Sequence, residues 1–180
     1  MQYIRRTLER KFTNMSDFFK VVLVTGARQV GKTTMLRYLA EGQNRTYVSL
    51  DNLMARDLAK NDPVLFFQTY KPPIIIDEVQ YAPELFSQIK IICDGSTETG
   101  LFWLTGSQQF KMMKNVRETL AGRVGILELY SLSNSEKNKI FWNQDLDFSL
   151  LCLQTRQAQV SKMMLLTFLN IYGAVACPKC

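Results

Sequence analysis

The chain has 180 residues, a net charge of +6 and no histidine. Its length is typical of one α/β domain with at most a small second one, and 47% apolar with 21% charged residues indicates a folded protein and not a disordered one. Without histidine, Ser–His–Asp and Cys–His catalysis and histidine metal sites are excluded. Any acid–base chemistry must therefore use carboxylates, lysine, tyrosine or cysteine.

The net charge indicates a class of partner, and the apolar segments indicate a cellular location. A basic chain favours anionic partners, such as nucleotides or nucleic acid. The first residues hold no apolar secretory core, which predicts a cytoplasmic location with free thiols. No run reaches the roughly 18–20 apolar residues that span a bilayer. The nearest, residues 163–177, is expected to be a helix that packs on protein, so no membrane partner is predicted.

Residues 1–20 predict an amphipathic helical segment that lies against the rest of the domain. Its apolar residues recur at helical spacing; they are Tyr3, Ile4, Leu8 and Phe12. Its basic residues form a cluster of Arg5, Arg6, Arg10 and Lys11. The favoured interpretation of this cluster is a solvated helix face, and the alternative is a contact with nucleic acid.

Residues 26–33, GARQVGKT, fit the phosphate-loop (Walker A) pattern. An apolar strand over residues 21–25 leads into glycines, which allow unusual backbone angles and close approach of a ligand. A helix then opens near Lys32, so its positive N-terminal end faces the same point. Lys32 is expected on the β- and γ-phosphates and Thr33 on Mg²⁺. The strand and helix around the motif argue against a chance match. The expected phosphate-binding residues are Gly26, Ala27, Arg28, Gln29, Val30, Gly31, Lys32, Thr33 and Thr34.

The remaining chain alternates strand and helix patterns. Strands are predicted over residues 46–50, 74–76, 101–105 and 126–129. Helices are predicted after Lys32, over residues 53–60, from Pro63, from Pro83 and over the basic residues 110–123. Residues 131–139 are polar and predict a loop. Strands alternating with helices imply a mostly parallel sheet covered on both faces.

An acidic pair, Asp77-Glu78, follows the β-branched run of residues 74–76 and matches a Walker B element. Ligands in open parallel sheets bind beyond the carboxyl ends of the strands, so Asp77 is expected to face the phosphate loop. Asp77 would help to hold Mg²⁺ through coordinated water, and Glu78 would orient the attacking water. The alternative is a strand end with two solvated acids.

Two further candidates lie later in the chain. Ser107, with Thr105 second, could contact the γ-phosphate or the attacking water from the end of a neighbouring strand; an ordinary turn is the alternative. Arg123 could act across a subunit interface on the charge that develops during phosphoryl transfer. A plain surface arginine is the competing interpretation.

The C-terminal Cys177-Pro178-Lys179-Cys180 offers only two thiols, whereas a structural zinc site usually needs four ligands. A frayed chain end is therefore expected, and no metal is assigned to these cysteines.

Five segments in order resemble a prokaryotic branch of the AAA+-type ATPases, the uncharacterised ATP-binding proteins that usually carry a C-terminal domain of unknown function. They are GARQVGKTT, YVSLDNLMARDLAKNDP, PPIIIDEVQYAPELF, LTGSQQF and ETLAGRVGILEL. The resemblance covers about residues 20–130. It implies a three-layer α/β phosphate-loop fold with a five-stranded parallel sheet, in which the strand ending at Thr105 separates the Walker B and phosphate-loop strands. The resemblance also implies that Ser107 is the sensor residue that contacts the γ-phosphate. It favours Arg123 as an arginine finger that acts across a subunit interface, and it favours ATP over GTP.

The expected organisation is a helical segment at 1–20, an ATPase core at 21–132 and the remnant of a mostly helical C-terminal domain at 133–180, as in a truncated family member. The expected function is ATP·Mg²⁺ binding, with hydrolysis to ADP and phosphate that drives or switches a partner interaction. A homo-oligomer and a protein partner fit such a role. The alternatives are a nucleotide-dependent switch with little turnover, a nucleic-acid-associated ATPase, and, more remotely, a small-substrate kinase.

Overall fold

A computed structural model describes residues 3–107, 116 and 118–138. The chain divides into two compact units, residues 1–141 and 142–180, and all described residues belong to the first. The strands are β1 (Val21–Thr25), β2 (Thr46–Ser49), β3 (Ile74–Asp77), β4 (Phe102–Gly106) and β5 (Val124–Glu128). The helices are α1 (Leu8–Phe18), α2 (Lys32–Leu39), α3 (Leu53–Asn61), α4 (Pro63–Thr69), α5 (Leu85–Gly95) and α6 (Asn134–Lys137), with a 3-10 turn at Val79–Tyr81.

The five strands form one parallel sheet in the order β2-β3-β4-β1-β5. Strand β1 is central, with Val21 opposite Phe102 on one side and Val124 on the other. Strand β4 lies between β3 and β1, which confirms the expected order, in which the strand ending near Thr105 separates the Walker B strand from the phosphate-loop strand. All five strands run in the same direction. Asp77, Gly106 and the residues after Thr25 therefore meet at the C-terminal ends of the strands.

Alternate residues of the strands enter two separate cores, as expected for a sheet with both faces covered. On one face, Val21 and Leu23 pack with buried residues of α3, α4 and α5. On the other, Val22 and Val24 pack with α1 and α2, including Phe12 and Met35. The helix predicted after Lys32 is confirmed as α2. The result is a three-layer α/β sandwich.

The helix starts of α3 and α4 follow their caps. Asn52 accepts a hydrogen bond from the Ala55 amide at 3.1 Å, and Asp62 accepts one from the Leu65 amide at 2.8 Å. Each cap satisfies an amide that has no partner inside its helix. Both helices begin where the sequence predicts them, at Leu53 and Pro63.

The prediction of a loop over residues 131–139 is wrong in part, because α6 lies within it. Ser133 accepts a hydrogen bond from the Glu136 amide at 3.2 Å, and the Glu136 carboxylate accepts one from the Ser133 amide at 2.8 Å. This reciprocal pair is a capping box, for which Ser-x-x-Glu is the sequence signal. The polar composition of the segment concealed that signal.

Several other expectations concern the ends of the chain. The helical segment predicted over residues 1–20 is shorter than its prediction, since α1 begins at Leu8. Of the helix predicted over residues 110–123, Val116, Glu118 and Thr119 are helical, whereas residues 120–123 form a bend and a turn, so the predicted end of this helix is wrong. The four C-terminal residues that carry the Cys-x-x-Cys pattern, and the helix predicted at 163–177, lie outside the described residues. Within the described part of the chain, no helix has the length and apolarity to cross a bilayer.

The packing of α1 generates a stability prediction. Phe12 is fully buried and contacts Trp103 edge-on at a centroid distance of 4.8 Å, whereas Phe18 of the same helix is 82% exposed. Phe12→Ala should lower the free energy of unfolding by about 3–5 kcal/mol through lost burial and a cavity. Phe18→Ala is the matched control and should change it by less than about 0.5 kcal/mol. Urea unfolding followed by circular dichroism measures both, and equal effects of the two substitutions would contradict the packing of α1.

Candidate functional site

The loop after β1 has the backbone shape of a phosphate-binding loop. Gly26 has φ of 144° and Gly31 has φ of 90°, both outside the range that side chains tolerate well. A Cβ atom at Gly26 would lie 2.2 Å from the carbonyl oxygen of Leu129. Gly31 is the N-cap of α2, so the amides of the first turn open toward the loop. The concave backbone and the helix end together form a cradle suited to phosphate.

Lys32, the first residue of α2, is buried within the loop. Its Nζ donates to the carbonyl oxygen of Gly26 at 3.1 Å and to that of Ala27 at 2.8 Å. The loop's own carbonyls thus hold the ammonium group over the cradle. A buried positive charge at this point suits an anionic ligand, as the sequence predicts for Lys32.

The carboxylate of Asp77 is 7% exposed and collects three hydroxyl groups. Thr33, from α2, donates to Oδ1 at 2.6 Å. Thr105, from β4, donates to the same oxygen. Tyr47, from β2, donates to Oδ2 at 3.3 Å. The structure therefore brings Asp77 beside the phosphate loop, as its position after β3 predicts.

The groups at this point fit a magnesium ion. The Thr33 hydroxyl and the Asp77 carboxylate are in direct contact, and both are oxygen ligands, the type that Mg²⁺ prefers. They lie at the helix end of the phosphate cradle, where a nucleotide's phosphates would supply further oxygens. The two residues predicted as metal ligands are thus adjacent and of suitable chemistry.

Glu78 has left-handed backbone angles, φ 58° and ψ 47°, which are uncommon outside glycine. Its amide donates to the Thr105 hydroxyl at 3.0 Å, and its carboxylate accepts a hydrogen bond from the side-chain amide of Gln80. The oxygen of that Gln80 amide accepts a bond from the Ser107 amide at 3.3 Å. Glu78 and Ser107 are therefore linked through Gln80.

Ser107 and Thr105, the first and second candidates for a contact with the γ-phosphate, have different surroundings. Thr105 is fully buried, donates to Asp77 and accepts from Glu78. Ser107 lies at the same C-terminal ends of the strands, one residue beyond β4. Thr105 therefore organises the acidic pair, while Ser107 is partly buried and contacts Gln80 through its backbone amide.

Arg6 is a residue of this site that sequence reasoning missed. Arg5, Arg10 and Lys11 are exposed, whereas Arg6 is buried, so the interpretation as a solvated helix face is wrong for Arg6. Its guanidinium donates to the carbonyl oxygen of Val30 in the phosphate loop at 2.8 Å, and to that of Tyr130 at 2.6 Å. Because Arg6 lies before the first residue of α1, the helical periodicity of the sequence does not predict which way its side chain points.

Glu136 of α6 completes this contact. Its Oε1 lies 3.3 Å from Nε of Arg6 and accepts a hydrogen bond from the Thr7 amide at 2.7 Å. Burial by itself raises the pKa of Glu136. Hydrogen bonds from the Ser133 and Thr7 amides and the charge of Arg6 outweigh burial, and the pKa lies below its usual value. Glu136 is thus an ionised partner for Arg6 at neutral pH. The capping signal at Ser133 is the one clue to it in the sequence.

Arg123 lies at the N-terminal ends of the strands, opposite the ends that carry the phosphate loop. It directly precedes β5, whose opposite end leads to Leu129 beside Gly26. Its Nε lies 2.5 Å from Oδ1 of Asp94, and its Nη1 donates to the Ala121 carbonyl at 2.8 Å. Arg123 is not brought together with the other predicted site residues of its own chain.

The comparisons with known proteins agree with this geometry. Residues 18–138 match a family model described as the AAA domain. Uncharacterized proteins of Mycobacterium bovis and Mycobacterium tuberculosis are each 35% identical to this chain over 114 residues, which is 63% of this chain and 25% of each relative. The matched part of the chain thus spans a quarter of the length of these relatives. A Walker-type ATPase of Pyrococcus abyssi has a similar fold, with a TM-score of 0.55 and 15% identity over 77% of this chain and 57% of that one.

The close approach at Gly26 generates a prediction. Gly26→Ala places a Cβ against the Leu129 carbonyl and should destabilise the chain by about 1–3 kcal/mol, because the backbone must shift and the φ angle is strained. Gly42→Ala is the control, because Gly42 has a positive φ of 80° and nothing within 4 Å of the added Cβ. Thermal unfolding of both variants separates the clash from the strain. A Gly26→Ala variant no less stable than Gly42→Ala would contradict the close approach.

Proposed function

The chain belongs to the AAA domain family, and from that premise we propose that it binds ATP with Mg²⁺ at residues 26–34 and hydrolyses it to ADP and phosphate. The observation that carries the proposal is the 2.6 Å contact between Thr33 of α2 and Asp77 at the end of β3. It joins the phosphate loop to the acidic pair in one site. A phosphate loop alone would support nucleotide binding without indicating hydrolysis.

Phosphate binding rests on backbone amides and one side chain. The cradle between Gly26 and Gly31 offers N–H groups at the positive end of α2. Lys32 adds a charge that its two carbonyl contacts direct toward the cradle. In the proposed complex, Lys32 neutralises the β- and γ-phosphate oxygens.

Thr33 and Asp77 would hold the magnesium ion. When bound, Mg²⁺ supplies positive charge to the phosphate oxygens as negative charge develops on them. Thr105 supports this arrangement, because its hydroxyl fixes one carboxylate oxygen of Asp77 while it accepts the amide of Glu78. The two acidic residues are thereby held in a fixed relative position.

Glu78 is the proposed group that orients and polarises the attacking water. The chain has no histidine, so a carboxylate is the suitable base at this place. Glu78 directly follows Asp77, and its left-handed backbone ends β3 there. In the proposal, Asp77 holds the metal and Glu78 acts on the water. Ser107, at the end of the neighbouring strand, is proposed to contact the γ-phosphate.

Two substitutions test the roles of Lys32 and Glu78. Lys32→Ala should weaken ATP binding by about 100-fold or more, because charged hydrogen bonds worth roughly 1.5–3 kcal/mol each are lost. Glu78→Gln should keep ATP affinity within about threefold of the parent and reduce phosphate release to background. Titration with a fluorescent ATP analogue measures affinity, and a coupled phosphate assay measures turnover.

The control for Lys32→Ala is Lys60→Ala, which removes an exposed lysine from α3. It should leave both affinity and turnover unchanged. If Lys32→Ala binds the analogue as tightly as the parent does, the assignment of the phosphate site is wrong. If Glu78→Gln still releases phosphate at the parental rate, Glu78 is not the water-positioning group.

A second candidate function is a nucleotide-dependent switch with little turnover of its own. The observation that favours it is the hydrogen bond from Gln80 to Glu78, which engages one oxygen of the carboxylate that would act on water. Such a module would bind ATP and change its affinity for a partner. Turnover measured over a range of protein concentrations distinguishes the two functions.

Turnover measured over a range of protein concentrations also tests the role of Arg123. Its place at the N-terminal ends of the strands means that it could act only on the site of a neighbouring copy. The phosphate released per chain should therefore rise with protein concentration, and Arg123→Ala should stay at the low, concentration-independent rate. Asp94→Ala is the control, since it removes the same ion pair and keeps the guanidinium. Concentration dependence in the parent that Arg123→Ala retains would contradict a role in trans, and no release at any concentration would favour the switch.

A further inference from the structure

Asp77 is held on both of its carboxylate oxygens, and the second contact is made by a residue with no assigned role. Oδ1 accepts the hydroxyls of Thr33 and Thr105, whereas Oδ2 accepts the Tyr47 hydroxyl at 3.3 Å. Tyr47 comes from β2, the strand at the edge of the sheet next to β3. It therefore reaches Asp77 from a different element than either threonine.

The ring of Tyr47 is itself held in place. The guanidinium carbon of Arg37, one turn after Thr33 on α2, lies 5.1 Å from the ring centroid. The ring thus spans from α2 to β3 along the outside of the site. It is 39% exposed, so it contributes little to the core, and its packing does not account for its hydroxyl.

The phenol O–H of Tyr47 is the donor of this contact, and Oδ2 of Asp77 is the acceptor.

We propose that Tyr47 is a positioning residue for Asp77, and that its hydroxyl fixes the plane of the carboxylate for the magnesium ion of bound nucleotide. This inference rests on the proposed function. Rotation of the Asp77 carboxylate about its Cβ–Cγ bond moves both oxygens, so the two threonine hydroxyls on Oδ1 resist it and the Tyr47 hydroxyl on Oδ2 resists it further. Because Mg²⁺ demands near-ideal octahedral geometry, loss of the fixed plane should affect the metal and spare the phosphates.

The test is the Mg²⁺ dependence of ADP binding, which requires no turnover. Tyr47→Phe removes the hydroxyl and keeps the ring. A fluorescent ADP analogue is titrated into each variant without Mg²⁺, and then Mg²⁺ is titrated in at a fixed concentration of the analogue. For Tyr47→Phe, the metal-free Kd should match that of the parent, and the Mg²⁺ concentration that gives half of the rise in affinity should increase about fivefold, as for a weak hydrogen bond to a charged group.

Tyr70→Phe is the matched control, because it removes a tyrosine hydroxyl from the residue directly after α4, whose ring packs on Phe66. It should leave both quantities unchanged. If Tyr47→Phe and the parent have the same Mg²⁺ midpoint, or if the substitution weakens metal-free binding equally, the positioning role is wrong while the proposed function stands. If the parent's affinity does not respond to Mg²⁺, the proposed metal site fails, and this inference fails with it.

Discussion

One buried carboxylate, that of Asp77, joins the parts of the site. It ends β3 and receives hydroxyls from α2, β4 and β2, through Thr33, Thr105 and Tyr47. A carboxylate that is 7% exposed is stable as a charge only when such donors surround it. The sheet order β2-β3-β4-β1-β5 places those donors within reach. The topology and the site therefore depend on each other at this residue.

The phosphate loop is supported from its other flank by Arg6. This arginine joins the Val30 carbonyl of the loop to Tyr130 and to Glu136 of α6. Removing one partner of a buried ion pair leaves an uncompensated charge, which is costly. Segments far apart in the sequence, before α1 and after β5, thus fix the shape of one short loop. Gly26 adds to this by packing directly on the Leu129 carbonyl.

The sequence predicts what depends on local pattern and misses what depends on long-range contacts. Apolar periodicity predicted most of the strands and helices, and the phosphate-loop pattern with the acidic pair predicted the core of the site. The five-stranded sheet and its order were expected from the family resemblance. The roles of Arg6 and Tyr47 have no local signal, because each is defined by a partner on a distant element. Glu136 is intermediate: its capping box is visible, but its ion pair with Arg6 is not.

The most direct test of the account is the thermal unfolding of the parent chain with ATP, with and without Mg²⁺, beside an Asp77→Asn variant. We expect Mg²⁺ with ATP to raise Tm more than ATP alone, because a magnesium ion at Thr33 and Asp77 lowers the Kd of ATP. A ligand at 100 times its Kd adds about 2.7 kcal/mol to the free energy of unfolding. Asp77→Asn should keep the part due to ATP alone and lose the part due to Mg²⁺. A parent chain whose Tm does not change with millimolar ATP and Mg²⁺ would contradict the account.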